Sequence, residues 1–319
     1  MTAKVLITRR LPDAVLEAAG ARFAVTLRDD TRPMTRAEAI AALREFDAVL
    51  PTLGDPYDAE TFAAAGLMRC RILANFGVGT NHIDVAAARA AGLAVTNTPG
   101  AVTDATADIA LTLLLMAARR AGEGERLVRS GQWRGWHPTQ MLGRHVTGKS
   151  LGVVGMGRIG RAIARRCHHG FAMPVRFFNR SPVADPGVPA VQVATLAEAM
   201  AADFVVIATP GGPATRHLIG AEALAAMAPH GVLVNISRGD VVDEAALIAV
   251  LQAGRIAAAG LDVFEREPDV PEALRACENA VLLPHLGTAA LEVREAMGLM
   301  AVDNLVAFFD DRPLPNPVG

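Results

Sequence analysis

One stretch constrains the fold more than any other. The apolar run Leu151-Gly152-Val153-Val154 passes into Gly155-Met156-Gly157-Arg158-Ile159-Gly160 and then into a helical pattern. A GxGxxG that follows a strand and opens a helix is the signature of a dinucleotide-binding βαβ unit, whereas outside that context it is a glycine-rich turn. Gly155 then allows the tight turn and Gly157 lets the backbone approach a pyrophosphate. Gly160 permits close helix–strand packing, and Arg158 and Ile159 open a helix whose N-terminus faces the anion.

An NAD-binding loop of this kind expects Asp or Glu about 20 residues on, holding the ribose 2′-hydroxyl. That place reads Phe178-Asn179-Arg180-Ser181, with no carboxylate until Asp185. Arg180 offers a cation and a planar fork suited to a 2′-phosphate, and Ser181 adds a hydroxyl donor. The expected cofactor is NADP(H). NAD(H) stays open if Arg180 instead stacks on the adenine.

The chain of 319 residues is about twice the usual single-domain length, so two domains are expected. Short β-branched runs alternate with alanine-rich helical stretches. Strands are expected at Val5 to Thr8, Ala48 to Leu50, Arg71 to Ala74, Leu151 to Val154, Val175 to Phe178, Phe204 to Ala208, Val232 to Asn235, Ala258 to Val263 and Val281 to Leu283. Helices are expected at Asp13 to Ala19, Ala37 to Arg44, Ala107 to Arg120, Ile159 to His168 and Glu244 to Ala253. Such alternation argues for doubly wound α/β domains with parallel sheets, and apolar runs without polar alternation suit strands buried on both faces. Breaks at Thr98-Pro99-Gly100 and at Pro284 to Gly287 place a middle domain, 100–285, inside another made of 1–99 and 286–319. A cleft bounded by the two domains is where a small-molecule site is expected.

Other classes fit poorly. Lys and Arg number 31 against 33 Asp and Glu, with no long run of one sign, so no nucleic-acid partner is expected. Three scattered cysteines, Cys70, Cys167 and Cys277, and an N-terminus without a signal-peptide core point to the cytoplasm. The most apolar helix, Ile109 to Ala118, is shorter than the roughly 20 residues that cross a bilayer, so no membrane partner is expected. Cys167-His168-His169 has no spaced partner set and no metal is expected. Leu111 to Met116 reads as a helix-core stripe, and Arg119 to Arg129, with six charges of both signs, as a solvated or interface surface.

Three further segments end strands, where ligands of such sheets bind. Arg238, in Asn235-Ile236-Ser237-Arg238-Gly239, can grip a 2-oxo acid's carboxylate bidentately and polarise its carbonyl. Glu267 closes Asp262-Val263-Phe264-Glu265-Arg266-Glu267-Pro268, and His285 lies in Leu283-Pro284-His285-Leu286-Gly287. A carboxylate beside a histidine stabilises the imidazolium, so Glu267 and His285 suit proton donation to a ketone.

The order GxGxxG, SRG, DVFExEP and PHxG resembles the D-isomer-specific 2-hydroxyacid dehydrogenases along essentially the whole chain. The finer likeness is to NADP-preferring glyoxylate/hydroxypyruvate reductases. The expected fold is then a Rossmann cofactor domain inserted into a flavodoxin-like substrate domain. The resemblance implies that Arg238 binds the substrate carboxylate and carbonyl, Glu267 orients the histidine, and His285 is the acid/base. It places Asp262 on the nicotinamide carboxamide and Thr106 near the cofactor. The Asn75–Thr80 loop would receive the substrate carboxylate on the amides of Val78 and Gly79, with Leu53 and Trp136 walling the pocket. Trp136 also lies in a segment that reaches a neighbouring subunit in these dimers, which implies a homodimer. The implied reaction is NADPH-dependent reduction of a small 2-oxo acid, glyoxylate or hydroxypyruvate, to the D-2-hydroxy acid. A broader 2-oxo acid reductase acting on phenylpyruvate-like acids and a non-catalytic NAD(P)-sensing protein are the alternatives. Two departures, Thr80-Asn81-His82 and Leu286-Gly287-Thr288, bear on the substrate, and His82 has no assigned role.

Overall fold

The computed structural model describes residues 2–319. They divide into two compact units, residues 2–102 with Ala289–Gly319, and Thr103–Thr288. The chain leaves the first unit after residue 102 and re-enters it after 288, three residues beyond the breaks at 99 and 285.

In the first unit β1 (Lys4–Ile7), β2 (Ala24–Leu27), β3 (Ala48–Leu50), β4 (Ile72–Ala74) and β5 (Ala94–Thr96) form a parallel sheet in the order β2-β1-β3-β4-β5. This is the flavodoxin-like order, with its reversal at β1 and β3. The central strands β3 and β4 are buried at every residue. The C-terminal helix Leu291–Phe309 packs against β4 and against helix Asp13–Gly20.

The second unit has β6 (Leu151–Val154), β7 (Val175–Phe178), β8 (Ala190–Gln192), β9 (Phe204–Ile207), β10 (Val232–Asn235), β11 (Ala258–Leu261) and β12 (Ala280–Leu282). They pair in parallel in the order β12-β11-β10-β9-β6-β7-β8, the Rossmann winding with its reversal at β6 and β9. Every residue of β6, β9, β10 and β11 is buried, which explains why they are apolar but for Asn235 at the end of β10. Helix Thr103–Ala118 lies on β10 and β11 with Leu113 and Leu114 in the core. It starts four residues before the expected Ala107 and stops two before Arg120.

Three strands have no counterpart in the sequence expectations: β2, β5 and β8. Each is an edge of its sheet, where fewer apolar residues are needed, and the outer side of β5 meets only the C-terminal segment through the Thr96–Pro317 bridge. The charged stretch at 119–129 forms helix Ala121–Arg129 with no buried side chain. Cys167 is fully buried, its thiol pushed up to about 12 by burial, and His168 Nδ1 lies 3.1 Å from the Met173 carbonyl oxygen. Among the described residues no helix is long and apolar enough to cross a membrane.

Candidate active site

The adjacent strands β10, β11 and β12 run parallel, so the segments after them emerge on one edge of the sheet. Arg238, Asp262 and His285 all lie there, within three residues of their strand ends. Buried Asn235, the last residue of β10, builds the Arg238 turn. Its Oδ1 accepts from Ser237 N and Ser237 Oγ, both at 3.0 Å, and its Nδ2 donates to the Arg238 carbonyl at 3.0 Å. Gly239 then passes so close to the β11 exit that a Cβ would sit 1.8 Å from Phe264 C and 1.9 Å from Phe264 O. The half-buried Arg238 guanidinium donates from Nη1 to Ser237 O at 2.6 Å, while its buried Nε has no protein partner. Burial lowers the Arg238 pKa, opposed by the charges of Glu267 and Asp240.

His285 adopts a left-handed backbone, φ 55°, a conformation costing a non-glycine residue about 1–3 kcal/mol and kept only where neighbours dictate it. Its amide donates to the Asp262 carbonyl at 2.9 Å. The Asp262 carboxylate takes the next two amides, Leu286 at 2.6 Å and Gly287 at 2.8 Å. Thr106 Oγ1 donates to the Gly287 carbonyl at 3.2 Å. Asp262 and Thr106 therefore clamp the histidine loop, a task the sequence did not disclose. Burial raises the Asp262 carboxyl above its usual range, against the pull of the Leu286 amide, His285 and the Gly287 amide.

His285 Nδ1 lies 2.7 Å from Glu267 Oε2, and both side chains are about 30% exposed. An ionised carboxylate only accepts, so Nδ1 carries the proton in this bond and Nε2 is left for chemistry. Glu267 Oε1 accepts from Phe264 N at 3.0 Å. Burial would raise the Glu267 carboxyl, but His285, the Phe264 amide and the Arg238 guanidinium outweigh it and hold the pKa below its ordinary value. The group that orients the histidine thus stays an acceptor.

The glycine loop opens helix Arg158–Phe171 from Gly157, which has no side-chain cap. Gly155 has φ +98°, and a Cβ there would lie 2.8 Å from Thr209 N; one on Gly160 would lie 2.1 Å from Gly155 O. Gly157 is different: a Cβ there meets nothing within 4 Å. The first and third glycines answer to the protein's own packing, while the second faces open space beside an uncapped helix end, which fits a dinucleotide pyrophosphate. Asn179 Oδ1 accepts from Met156 N at 3.2 Å, tying the β7 exit to this loop, and its Nδ2 donates to Ser181 O at 2.9 Å. Gln192 of β8 braces the same turn, donating to Ser181 O at 3.1 Å and accepting from Val183 N at 2.9 Å. Arg180 is exposed and forms no ion pair with the described residues. Asp185 accepts from Gly187 N at 2.8 Å, within its own turn.

In the first unit the loop after β4 is held by its carbonyls. Asn75 Nδ2 donates to Gly77 O at 3.0 Å and Gly79 O at 3.1 Å, and Asn97 Nδ2 donates to Val78 O at 2.9 Å. In a trans peptide the carbonyl and the following N–H point opposite ways. The amides of Val78 and Gly79 are therefore turned away from Asn75 and Asn97. His82 Nε2 donates to Asn75 Oδ1 at 3.0 Å, so His82 supports the loop. Leu53, 40% exposed, follows β3 and its carbonyl accepts from Arg9 Nη1 at 2.8 Å. Trp136 is 78% exposed in an irregular segment of the second unit.

Residues 111–287 match the family described as D-isomer specific 2-hydroxyacid dehydrogenase, NAD binding domain. The chain belongs to the D-isomer-specific 2-hydroxyacid dehydrogenases. It is 43% identical to the glyoxylate reductase of Korarchaeum cryptofilum, over 100% of this chain and 96% of that protein. It is also 43% identical to the glyoxylate reductase of Thermococcus kodakarensis, over 100% of this chain and 97% of the relative. Among solved structures it resembles the NADPH-dependent glyoxylate/hydroxypyruvate reductase of Sinorhizobium meliloti, crystallised with NADP and malonate. The TM-score is 0.88 and the identity 36%, over 100% of this chain and 97% of the other. This dehydrogenase is thus an oxidoreductase with the two-domain Rossmann-type fold of its family. Within it, Asn235, Asn75, Asn97 and Gln192 went unassigned in the sequence because an amide that braces a turn has no distinctive spacing.

Proposed function

We propose that this dehydrogenase reduces glyoxylate and hydroxypyruvate to D-2-hydroxy acids with NADPH as the preferred reductant. The observation that carries the reading is the His285–Glu267 pair at 2.7 Å on the sheet edge shared with Arg238. Arg238 grips the substrate carboxylate and polarises its carbonyl, for which its unpartnered Nε and its preserved charge are suited. His285 gives a proton from Nε2 to the carbonyl oxygen, while Glu267 keeps hold of Nδ1 and stabilises the charged ring before transfer. Gly155, Gly157, Arg158, Ile159 and Gly160 would hold a dinucleotide, with Asn179, Arg180 and Ser181 toward its ribose, and that group would supply the hydride. Asp262 and Thr106 would hold the 286–287 loop on the nicotinamide side. Val78 and Gly79 offer amides to a carboxylate, and Leu53 and Trp136 are apolar substrate contacts.

The preference for NADPH rests on Arg180, an exposed cation without an ion pair, and on the lack of a carboxylate at the β7 exit, since Asp185 is used in its own turn. A homodimer is supported by the apolar side chains that Val128, Trp133, Trp136 and Leu142 expose within a short span. Initial rates with NADPH and NADH against glyoxylate, hydroxypyruvate, pyruvate and phenylpyruvate test the reading. Fast turnover of the two short acids with NADPH is expected. Faster turnover with NADH, or with phenylpyruvate, would discard the cofactor or the substrate reading, and no turnover would discard catalysis.

A further inference from the structure

Behind the Arg238 turn lies a second set of charged side chains that the reaction above leaves without a task. We infer that His217 is a positioning residue, a strut tying the turn that carries Arg238 to the loop that carries Glu267. The inference rests on the roles proposed for those two residues. The His217 amide donates to the Asp240 carbonyl at 2.7 Å, two residues beyond Arg238. Its ring Nε2 lies 2.9 Å from Glu265 Oε1, two residues before Glu267. A carboxylate only accepts, so Nε2 is the donor. One residue therefore bonds both segments, one through its main chain and the other through its imidazole.

The rest of the neighbourhood holds this strut in place. His217 has φ 51°, a left-handed conformation unfavourable for a residue with a Cβ. The following residues are stitched to the Arg238 turn, Ile219 N to Val241 O at 3.0 Å and Asp243 N to Ile219 O at 3.0 Å. Glu265 also receives Arg216 Nη2 at 3.3 Å, and its amide donates to Glu244 Oε2 at 3.3 Å. The two segments meet again where Gly239 packs on Phe264 and Glu265. The His217 and Glu265 side chains are 35% and 20% exposed, and a pair so placed contributes little to global stability. Its effect on the geometry of Arg238 and Glu267 is a separate matter, because catalysis responds steeply to small misplacements.

The test uses the full-length chain with His217→Ala and His217→Gln, since a glutamine amide nitrogen can occupy roughly the place of Nε2. For H217A, kcat/KM with glyoxylate is expected to fall by roughly tenfold or more, through a lower kcat and a higher KM together. NADPH affinity, set at the glycine loop, and the melting temperature should hold. H217Q is expected to recover to within roughly threefold of wild type. Hydrogen exchange of peptides spanning 236–243 and 262–268 is expected to quicken in both segments for H217A and in neither for H217Q. An unchanged kcat/KM in H217A, or a glutamine variant no better than alanine, would overturn the strut. Were the wild-type chain to reduce no 2-oxo acid, the proposed function would fall. Exchange would then decide the strut alone, with quickening in both segments supporting it and any other pattern overturning it.

Discussion

Replacing Gly239 by alanine isolates the coupling of the Arg238 turn to the loop that carries Glu267. The new Cβ would lie 1.8 Å from Phe264 C, 1.9 Å from Phe264 O and 2.3 Å from Glu265 N. All three are main-chain atoms, so no side chain can swing aside, and the strand exit must retreat by more than an ångström before contact becomes tolerable. Phe264 N is the donor to Glu267 Oε1, so Glu267 moves with it and draws away from His285. Forcing extra volume into a packed site costs about 1–3 kcal/mol, and about 2–4 °C of melting temperature is lost per kcal/mol in a domain of this size. The catalytic loss should be larger, since a misplacement of about 1 Å can cost about 10²-fold. The assay is kcat for glyoxylate reduction beside a thermal melt and an NADPH fluorescence titration. The glycine loop lies after β6, away from the altered turn, so cofactor affinity should hold while kcat falls. G239A with kcat within roughly threefold of wild type and an unshifted melt would refute the reasoning.

Three other outcomes follow from the same geometry. Gly157→Ala should fold with an unchanged melting temperature, since its Cβ meets nothing within 4 Å, yet bind NADPH much more weakly; unaltered binding would remove Gly157 from the pyrophosphate site. Arg180→Ala should weaken NADPH by roughly tenfold or more while sparing NADH, because a charge-assisted bond contributes about 1.5–3 kcal/mol; equal losses for both would end the 2′-phosphate reading. Glu267 has its pKa lowered in the fold, so its ionised form stabilises the protein above the ordinary glutamate range, and that contribution is lost as pH falls through the lowered value. E267Q should therefore be less stable than wild type at neutral pH, with denaturant midpoints converging as pH drops below 4; a gap that stays constant would show that the charge carries no stability.

Much of the second unit could be read directly from local sequence. Its four fully buried strands are apolar but for Asn235, and each was expected to within two residues. The strands missed were all sheet edges, though the edge strand β12 was found: β8 has burial only at its first residue, and even that is partial, and β2 alternates exposed with half-buried positions. Neither has the composition that marks a buried strand. Each is fixed by the ladder that the strand before it in the chain leaves open, which its own composition does not show.

The candidate site divides in the same way. Arg238, Glu267 and His285 stood out as candidates because each lies a few residues beyond the end of a strand, where ligands of such sheets bind. The glycines were visible because a fixed spacing carries a backbone requirement. What the sequence by itself determined is therefore local: which buried segments are strands, where the glycine loop lies, and which side chains are candidates for proton and carboxylate chemistry. Only the tertiary structure decided how those side chains are held. Asp262 clamps Leu286 and Gly287, His217 reaches Glu265, and Gly239 presses on Phe264. Each of these contacts joins residues more than 20 positions apart, brought together by strand order. A buried amide, a carboxylate taking two backbone N–H groups, or a glycine pressed against main chain looks ordinary in sequence, because the partner that gives it meaning is set by packing.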